Sequence, residues 1–283
     1  MRKSKFAPLV LCLAFLGMAS FRPVQAADEG VFHWPGSARA AVCITYDDAI
    51  DQHLDNAAPD LESVGLRGTF YVQGSSSSLA ARIEDWRALA ARGHELGNHS
   101  LFHPCIRQRA DGTEYDWVLP EYDMGLYSVR QMIAEIRVCN TLLTAVDGRT
   151  RRTYGAPCGD CEAGGISYID SLPKLFTALR IGGGKAPENM RSVELGCVTV
   201  PVQSATGKNL QQLIQIVEDA AAKGTIAVLC FHGVGGGHAT NTPREVHRGL
   251  IEYLNAHRDR FWTDTFINVT DHIRAERKRL GWD

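Results

Sequence analysis

Apolar runs rich in β-branched and aromatic residues recur along the chain, and segments with helical periodicity separate them. The runs are 40–46, 68–72, 195–202, 225–231 and 261–269. Apolar residues lie at helical spacing in 79–92, in 124–145, between a candidate N-cap at Asn209 and Gly224, and from about Thr270 onward. Strands that alternate with helices predict a parallel α/β fold. The chain of 283 residues shows no linker or internal repeat, so a barrel-like closure is favoured over two domains.

The N-terminus has the layout of a secretory signal peptide. A positive start precedes an apolar run at 7–19, and small residues follow up to Ala26. The positive start consists of Arg2, Lys3 and Lys5. We therefore predict a signal peptide at 1–26 and a mature domain at 27–283, exported to the periplasm or secreted. The apolar run is short for a bilayer span, and no other run has spanning length, so no stable membrane span is expected.

The charge balance argues against a nucleic-acid partner. Lys and Arg number 30 and Asp and Glu number 32, which gives a formal net charge of -2. Proteins that bind nucleic acid carry clustered Lys and Arg on one face, and this composition implies no such face.

The cysteines leave their pairing open. The chain has eight, and seven remain if Cys12 is removed with the signal peptide, so at least one thiol stays free or pairs between chains. Two lie in apolar strand-like runs and are predicted to be buried thiols: Cys43 and Cys230. Cys158 and Cys161 form a C-x-x-C motif. It predicts a local disulfide or a pairing with Cys105 or Cys139 in an exported protein.

Two adjacent carboxylates, Asp47 and Asp48, follow the first strand-like run. In a barrel, polar residues at the C-terminal end of a strand face the active site. Adjacent carboxylates repel each other unless a cation lies beside them, so one can bind a metal while its neighbour acts as a base. The alternative is a turn or a helix cap, for which Asp is common.

Two histidines, His99 and His103, are spaced four residues apart after a strand-like stretch. This spacing predicts that both imidazoles lie on one side of a helical turn. Two imidazoles and a carboxylate are a common ligand set of hydrolytic zinc sites, with positions left open for water and substrate. Histidine pairs at this spacing also arise by chance.

A third histidine, His232, ends the apolar strand 226–231 and precedes the run Gly233–Gly237. A histidine at the C-terminal end of a strand is well placed to protonate a leaving group, although it can also simply cap the strand. The glycine run lacks the Lys-Ser/Thr pair of a phosphate loop. Three further polar residues are interpreted as solvent-facing or supporting residues rather than metal ligands: Asp51, His53 and His238.

Residues 105–122 predict a loop that covers the site. Asp111-Gly112 marks a turn, and Tyr115, Trp117 and Tyr122 lie near it. Exposed aromatic rings beside a cleft would suit a sugar ligand. Aromatic rings that pack a loop onto the core are the commoner arrangement.

Taken together, these motifs resemble those of polysaccharide deacetylases with a NodB-homology domain, which form family 4 of the carbohydrate esterases. The family sequence Thr-Phe-Asp-Asp-Gly is matched by Thr45-Tyr46-Asp47-Asp48-Ala49, and His-Ser/Thr-x-x-His by residues 99–103. The Leu-x-x-His strand end is matched by residues 229–232. The resemblance covers roughly 38–275. It implies a distorted (β/α) barrel of about seven parallel strands, a divalent metal, usually zinc, and an acetylated glycan as substrate.

The resemblance also implies roles for individual residues. Asp48, His99 and His103 would bind the metal, whose bound water is the nucleophile. Asp47 would be the general base and His232 the general acid. The oxyanion would be stabilised by the metal and by the N–H of Cys158, which follows Pro157. The implied reaction removes N- or O-linked acetyl groups from a polysaccharide or oligosaccharide.

The third family motif, Arg-x-Pro-x-Gly, is incomplete here, and the family's Asp-Trp motif has no match. The corresponding residues are Gly155-Ala156-Pro157-Cys158-Gly159, so the arginine that orients the base is missing. Arg151 or Arg152 could reach in from the preceding strand; otherwise the pKa of Asp47 should rise relative to a paired Asp. This departure keeps two alternatives open. One is a non-catalytic carbohydrate-binding relative, and the other is a small-molecule amide or imide hydrolase, which the export signal disfavours.

Overall fold

The computed structural model describes residues 1, 30–182, 186–193 and 198–282. Contacts within the chain define two units, Met1–Val31 and Phe32–Asp283. Except for Met1, the predicted signal peptide lies outside the described residues. Among the helices that are described, none has the length and apolar character needed to cross a membrane.

Strands and α-helices alternate over much of the chain, but the described residues between 153 and 204 contain no α-helix. The strands are β1 Ala40–Asp47, β2 Thr69–Val72, β3 Glu95–Asn98, β4 Thr153–Gly155, β5 Glu162–Ala163, β6 Ile166–Ser167, β7 Ala178–Ile181, β8 Val198–Pro201, β9 Gln203–Ser204, β10 Ile226–Phe231, β11 Gly233–Val234, β12 Asn241–Thr242 and β13 Phe261–Thr263. The α-helices are α1 Ala58–Glu62, α2 Ser77–Ala81, α3 Ile83–Ala91, α4 Val129–Asp147, α5 Leu210–Lys223, α6 Arg244–Ala256 and α7 Phe266–Arg279.

The main sheet is parallel and closes through one extended segment. Its strand order is β8-β7-β4-β3-β2-β1-β10-β9, and β13 pairs with the start of β1. Only Val202 separates β8 from β9, so residues 198–204 pair with β7 at one end and with β10 at the other. Counting that segment once, the eight strands of the path become seven around the barrel. The predicted distorted (β/α) barrel is confirmed.

The side chains of β1 alternate between two environments. Val42, Ile44 and Tyr46 pack in the cluster that contains the apolar faces of α5 and α6. Ala41 and Cys43 pack on the opposite side, with the apolar residues of α7. Successive side chains of a strand point to opposite faces, so Asp47 follows Ala41 and Cys43 toward the barrel interior.

Several predicted elements differ from those observed. The sequence indicates β3 only as a strand-like stretch before His99. It gives no periodic signal for β4 and β7, because three or four residues that include Gly or Arg form no clear pattern. The predicted strand 261–269 is wrong beyond Thr263, since α7 begins at Phe266. The predicted run 195–202 is a strand over Val198–Pro201, and residues 194–197 lie outside the described ones.

Candidate active site

The polar residues singled out in the sequence meet at the C-terminal ends of the barrel strands. Asp47 ends β1 and Asp48 follows it, His99 follows β3, and His232 follows β10. All pairings among these strands are parallel, so their C-terminal ends lie at one rim. That rim is where barrel enzymes place their catalytic residues.

Asp48, His99 and His103 form a compact group of ligand atoms. Oδ1 of Asp48 lies 3.2 Å from Nε2 of His103 and 3.5 Å from Nε2 of His99. The atoms of these three residues that could bind a metal ion all lie within 4.8 Å of one another. Nδ1 of His99 donates to the carbonyl oxygen of Gly155 at 2.8 Å, which leaves Nε2 as the free ligand atom.

These residues fit a divalent cation. Oδ1 of Asp48 is buried and has no well-aligned hydrogen-bond donor, so a positive charge between it and the imidazoles would satisfy it. Burial acts to raise the pKa of Asp48, but contacts with His103 and His99 outweigh it and hold that pKa well below its usual value. Burial acts to lower the pKa of His103, yet Asp48 raises it.

The two histidines do not lie on a helical turn, so that prediction is wrong. Residues 99–103 form an irregular loop in which Ser100 has φ 63° and His103 has φ 56°. The N–H of Ser100 donates to Oδ1 of Asn98, and the N–H of His103 donates to Oγ of Ser100. Side-chain hydrogen bonds to the backbone therefore replace helical geometry in bringing the imidazoles together.

Left-handed backbone conformations cluster at the site. Besides the two in the histidine loop, Asp48 has φ 83°, Ala49 has φ 56° and Cys158 has φ 54°. A non-glycine residue in this conformation costs on the order of 1–3 kcal/mol, and such residues concentrate where side chains must be held for function. The strain at Ala49 explains why the family motif has glycine at this position.

Arg180, on β7, holds the carboxylate of Asp47. Its Nη2 lies 2.7 Å from both Oδ1 and Oδ2, and Sγ of Cys230 lies 3.3 Å from Oδ2. Burial acts to raise the pKa of Asp47, but the charge of Arg180 and nearby histidines outweigh it, and that pKa is lowered to about 2. The expected rise in the absence of the motif arginine is therefore wrong.

Neither arginine proposed from the sequence reaches Asp47. Arg151 lies on the surface and pairs with Asp271 at 2.7 Å. Arg152 is buried, but it pairs with Asp147 at 2.6 Å and donates to the carbonyl oxygen of Leu96. The arginine beside Asp47 is Arg180, which the sequence analysis did not identify. The sequence feature that could have indicated it is an arginine inside an apolar run, which forms strand β7.

Gly155 makes room for Arg180. The register of β4 and β7 places the two residues directly opposite each other. A Cβ added at Gly155 would lie 2.7 Å from Nη2 of Arg180 and 2.8 Å from the ring of Tyr71. The Arg180 guanidinium also sits 4.3 Å from the centroid of the Tyr71 ring. The glycine that replaces the motif arginine thus gives space to an arginine from the neighbouring strand.

His232 lies beside the Asp47 carboxylate. The ligand atoms of His232, Asp47 and Cys230 are within 4.8 Å of one another. The carbonyl oxygen of His232 accepts a hydrogen bond from Nε2 of His53 at 2.8 Å. Burial lowers the pKa of the His232 imidazole, so its protonated form gives up a proton more readily. This arrangement can move a proton to a group bound at the rim.

The three residues interpreted as supporting have different positions. His53 is fully buried and supports His232. Asp51 accepts a hydrogen bond from Oγ of Ser78. His238 lies at the site itself, with Nε2 3.5 Å from Oδ2 of Asp48 and its ring stacked on His232 at 5.1 Å.

A disulfide links two segments of the site. Cys105 pairs with Cys158 and thereby joins the loop after His103 to the turn Pro157–Gly159. Of the open pairings, this is the one observed. The described cysteines that remain free are Cys43, Cys139, Cys161 and Cys230, and of these Cys43 and Cys230 are buried as predicted. Cys12 and Cys197 lie outside the described residues.

Known proteins with similar sequence or structure were compared with the chain. A curated relative, a gellan lyase of a Bacillus species, is 22% identical over 286 residues, which cover 90% of this chain. The chain spans only 10% of that relative's length. A candidate polysaccharide deacetylase from Mycobacterium smegmatis has a similar structure, with a TM-score of 0.62 and 17% identity over 88% of this chain and 94% of that one.

A second similar structure contains a metal. It is a family 4 acetyl xylan esterase from Clostridium thermocellum in complex with a cobalt ion. Its TM-score is 0.50, at 19% identity over 82% of this chain and 90% of that chain.

The family model of polysaccharide deacetylase matches residues 36–172. The matched segment contains Asp47, Asp48, His99 and His103, and the barrel that presents them agrees with the similar structures. Over residues 36–172 the chain therefore matches the polysaccharide deacetylase family.

Proposed function

We propose that this protein is a metal-dependent hydrolase that removes N- or O-linked acetyl groups from a polysaccharide or oligosaccharide. The observation that carries the proposal is the pair of Asp47 and Arg180, in which Nη2 of the arginine contacts both carboxylate oxygens. This pair lies beside the three residues that could bind a metal, Asp48, His99 and His103. A fixed carboxylate next to a candidate metal site is the arrangement that hydrolysis of an acetyl group requires.

The metal would be held by Asp48, His99 and His103. Two imidazoles and one carboxylate with open positions are the ligand set of catalytic zinc, which is our proposed ion, and cobalt is present in the similar acetyl xylan esterase. Such a cation, when bound, supplies Lewis acidity that polarises the acetyl carbonyl. Gly155 orients His99 through its carbonyl oxygen, and the strained loop orients His103.

The chain's own residues would move the protons. Asp47 takes a proton from the attacking water while Arg180 keeps its carboxylate fixed and ionised. The hydroxyl group then adds to the acetyl carbon, and the bond from that carbon to nitrogen or oxygen breaks. His232, within 4.8 Å of Asp47, gives its proton to the departing amine or alcohol. The N–H of Cys158 is the proposed donor to the oxyanion.

The alternative of a non-catalytic carbohydrate-binding relative loses its main support. It rested on the missing motif arginine, and Arg180 now occupies the place beside Asp47. A small-molecule amide or imide hydrolase would need the same base and acid. Only the substrate from which acetate is released separates it from a glycan deacetylase.

We also propose that the protein is exported, with 1–26 as its signal peptide. The positive residues and apolar run at the start of the sequence support this. The Cys105–Cys158 disulfide is a second support, because disulfides persist in oxidising compartments such as the periplasm.

Acetate release tests the proposed activity. The metal-loaded protein is offered acetylated chitin, xylan and peptidoglycan fragments and small acetyl amides and esters, before and after a chelator and after zinc is restored. We expect release from at least one glycan, lost with the chelator and regained with zinc. Release from none of the glycans, or release that the chelator leaves unchanged, would contradict the proposal.

Metal content tests the ligand set separately. His99→Ala should reduce bound zinc from about one equivalent to a small fraction, because one of three protein ligands is lost. The exposed His33 supplies the control, since His33→Ala should leave the zinc content unchanged. Full zinc content in the His99 variant would show that the proposed ligands are wrong.

A further inference from the structure

Two aromatic rings stack on each other beside the candidate metal site. The rings of Tyr115 and Trp117 are 5.5 Å apart at an interplanar angle of 26°. The ring of Trp117 lies 6.3 Å from that of His103, which is a proposed metal ligand. Trp117 is 55% exposed, although a tryptophan is usually buried to a large extent. We call Tyr115 and Trp117 the aromatic platform.

Trp117 does not anchor its loop to the protein. Other residues of the loop perform that function: Val118 is 2% exposed, and Cys105 is buried and disulfide-bonded. The guanidinium of Arg107 donates to the carbonyl oxygen of Val118, and the N–H of Met124 donates to the carbonyl oxygen of Cys105. The commoner reason for aromatic residues in a covering loop, packing onto the core, therefore does not apply to Trp117.

At its other end the platform contacts a buried ion pair. The guanidinium of Arg109 sits 4.5 Å from the centroid of the Tyr115 ring and pairs with the buried carboxylate of Asp160. Asp160 also accepts a hydrogen bond from the N–H of Ile106. The exposed indole of Trp117 is thus positioned by a continuous set of contacts, which lowers the entropic cost of using it as a binding surface.

A polar pocket adjoins the platform. Its volume is about 330 Å³, and its lining includes Arg109, Asp111, Thr113, Tyr115, Cys158 and Asp160. Cys158 links this pocket to the turn that would donate to the oxyanion. An apolar ring face next to a pocket of hydrogen-bonding groups matches a pyranose ring, which has an apolar face and a rim of hydroxyl groups.

We propose that the aromatic platform and the polar pocket form a subsite for a sugar unit that neighbours the unit being deacetylated. The inference rests on the proposed function and adds which residues bind a second sugar unit of the substrate. The subsite places one pyranose ring on Trp117, with its hydroxyl groups toward the pocket. It contributes binding and does not take part in the proton transfers.

The test compares a small ester with a glycan. Acetate release by wild type and Trp117→Ala is measured on p-nitrophenyl acetate, on the monomer N-acetylglucosamine, on the N-acetylated chitin tetramer and on an acetylated xylotetraose. We expect KM for the tetramers to rise about tenfold in Trp117→Ala, because the sugar ring no longer buries apolar surface against the indole. The KM values of Trp117→Ala for the ester and the monomer should stay within about twofold of the wild-type values.

Matched variants separate a binding role from a structural one. Trp117→Phe keeps an aromatic face and should retain most of the affinity for tetramers. Leu126→Ala removes another exposed apolar side chain, 75% exposed, and should change nothing. Equal effects of Trp117→Ala on the ester and on the tetramers, or no effect on any substrate, would overturn the inference.

Binding without turnover distinguishes failure of the subsite from failure of the proposed activity. The zinc-loaded wild type and Trp117→Ala are titrated with unacetylated chitotetraose and xylotetraose by calorimetry. Weaker binding of either tetramer by the variant supports the subsite even if no acetate is released. Equal binding by both proteins, or no binding by wild type, contradicts it.

Discussion

Nη2 of Arg180 lies 2.7 Å from each carboxylate oxygen of Asp47, and Gly155 on the adjacent strand leaves the space for it. The family places this arginine on the strand that here carries Gly155. Here the neighbouring strand supplies the positive charge beside Asp47. We expect this pair to determine both the charge and the orientation of Asp47.

Arg180→Lys should lower kcat/KM for acetate release by roughly 10- to 100-fold. A lysine lacks the planar guanidinium that sits over the Tyr71 ring, so its ammonium group is held less firmly beside Asp47, and Asp47 becomes less well oriented. Zinc content should stay at about one equivalent, because Asp47 is not a proposed ligand. The measurement is steady-state acetate release with metal analysis of the same samples.

Arg151→Lys is the matched control for this prediction, because Arg151 is 60% exposed and pairs with Asp271 on the surface. It should leave activity unchanged. Wild-type activity in Arg180→Lys, or an equal loss in both variants, would show that Arg180 does not act through Asp47.

Gly155→Ala should impair the same pair without removing a charge. The added Cβ would come within 2.7 Å of Nη2 of Arg180 and 2.8 Å of the Tyr71 ring, so one of these side chains must shift. We expect lower activity and a loss of stability of about 1–3 kcal/mol, as for other overpacked interiors. Activity and thermal unfolding are measured together; unchanged values for both would mean that the space is not needed.

Loss of the Cys105–Cys158 disulfide should destabilise the protein by about 2–4 kcal/mol, the usual effect of removing a cross-link of this kind. Cys105→Ser removes the link two residues after His103, so zinc affinity and activity should fall as well. Calorimetric unfolding and acetate release check both effects. Cys161→Ser, which removes a free thiol, is the control and should have neither effect.

The buried His94 should make stability depend on pH. Its Nδ1 accepts from the N–H of Gly68, and its Nε2 donates to Oε1 of Glu62, so the neutral ring is the one that fits. Burial lowers the pKa of His94 to about 4. Between about pH 6.5 and 4, the unfolded chain binds this proton and the folded chain does not, so stability decreases as pH falls through that range.

His94→Gln should remove this contribution. The free energy of unfolding is measured at several pH values between 4.5 and 7. Its slope against pH reports the number of protons taken up on unfolding, and that number should be smaller by up to about one in the variant. The same slope in both proteins would mean that His94 is not the group that responds.

The sequence predicts the parts of the site that lie in continuous motifs. Asp48, His99 and His103 could be identified because each ends or follows a strand in a short, recognisable pattern. The partnership of Asp47 with Arg180 could not, because it depends on the register between β4 and β7. That register arises from the whole barrel, and β7 is too short to be recognised alone.

The spacing of the two histidines also does not predict the loop that brings their imidazoles together. A spacing of four residues is compatible with a helix, but the hydrogen bonds of Asn98 and Ser100 to the backbone select a strained loop instead. Closure of the barrel by one extended segment at 198–204 likewise depends on pairings at both of its ends.

Acetate release by Asp47→Asn, with zinc measured in the same samples, tests the central claim most directly. Asparagine keeps the shape of the side chain but cannot accept the proton of the attacking water. We predict about one equivalent of zinc and a rate lowered by about 10³-fold or more, within the range that loss of a general base and its charge produces. Wild-type acetate release by this variant would contradict the proposed role of Asp47.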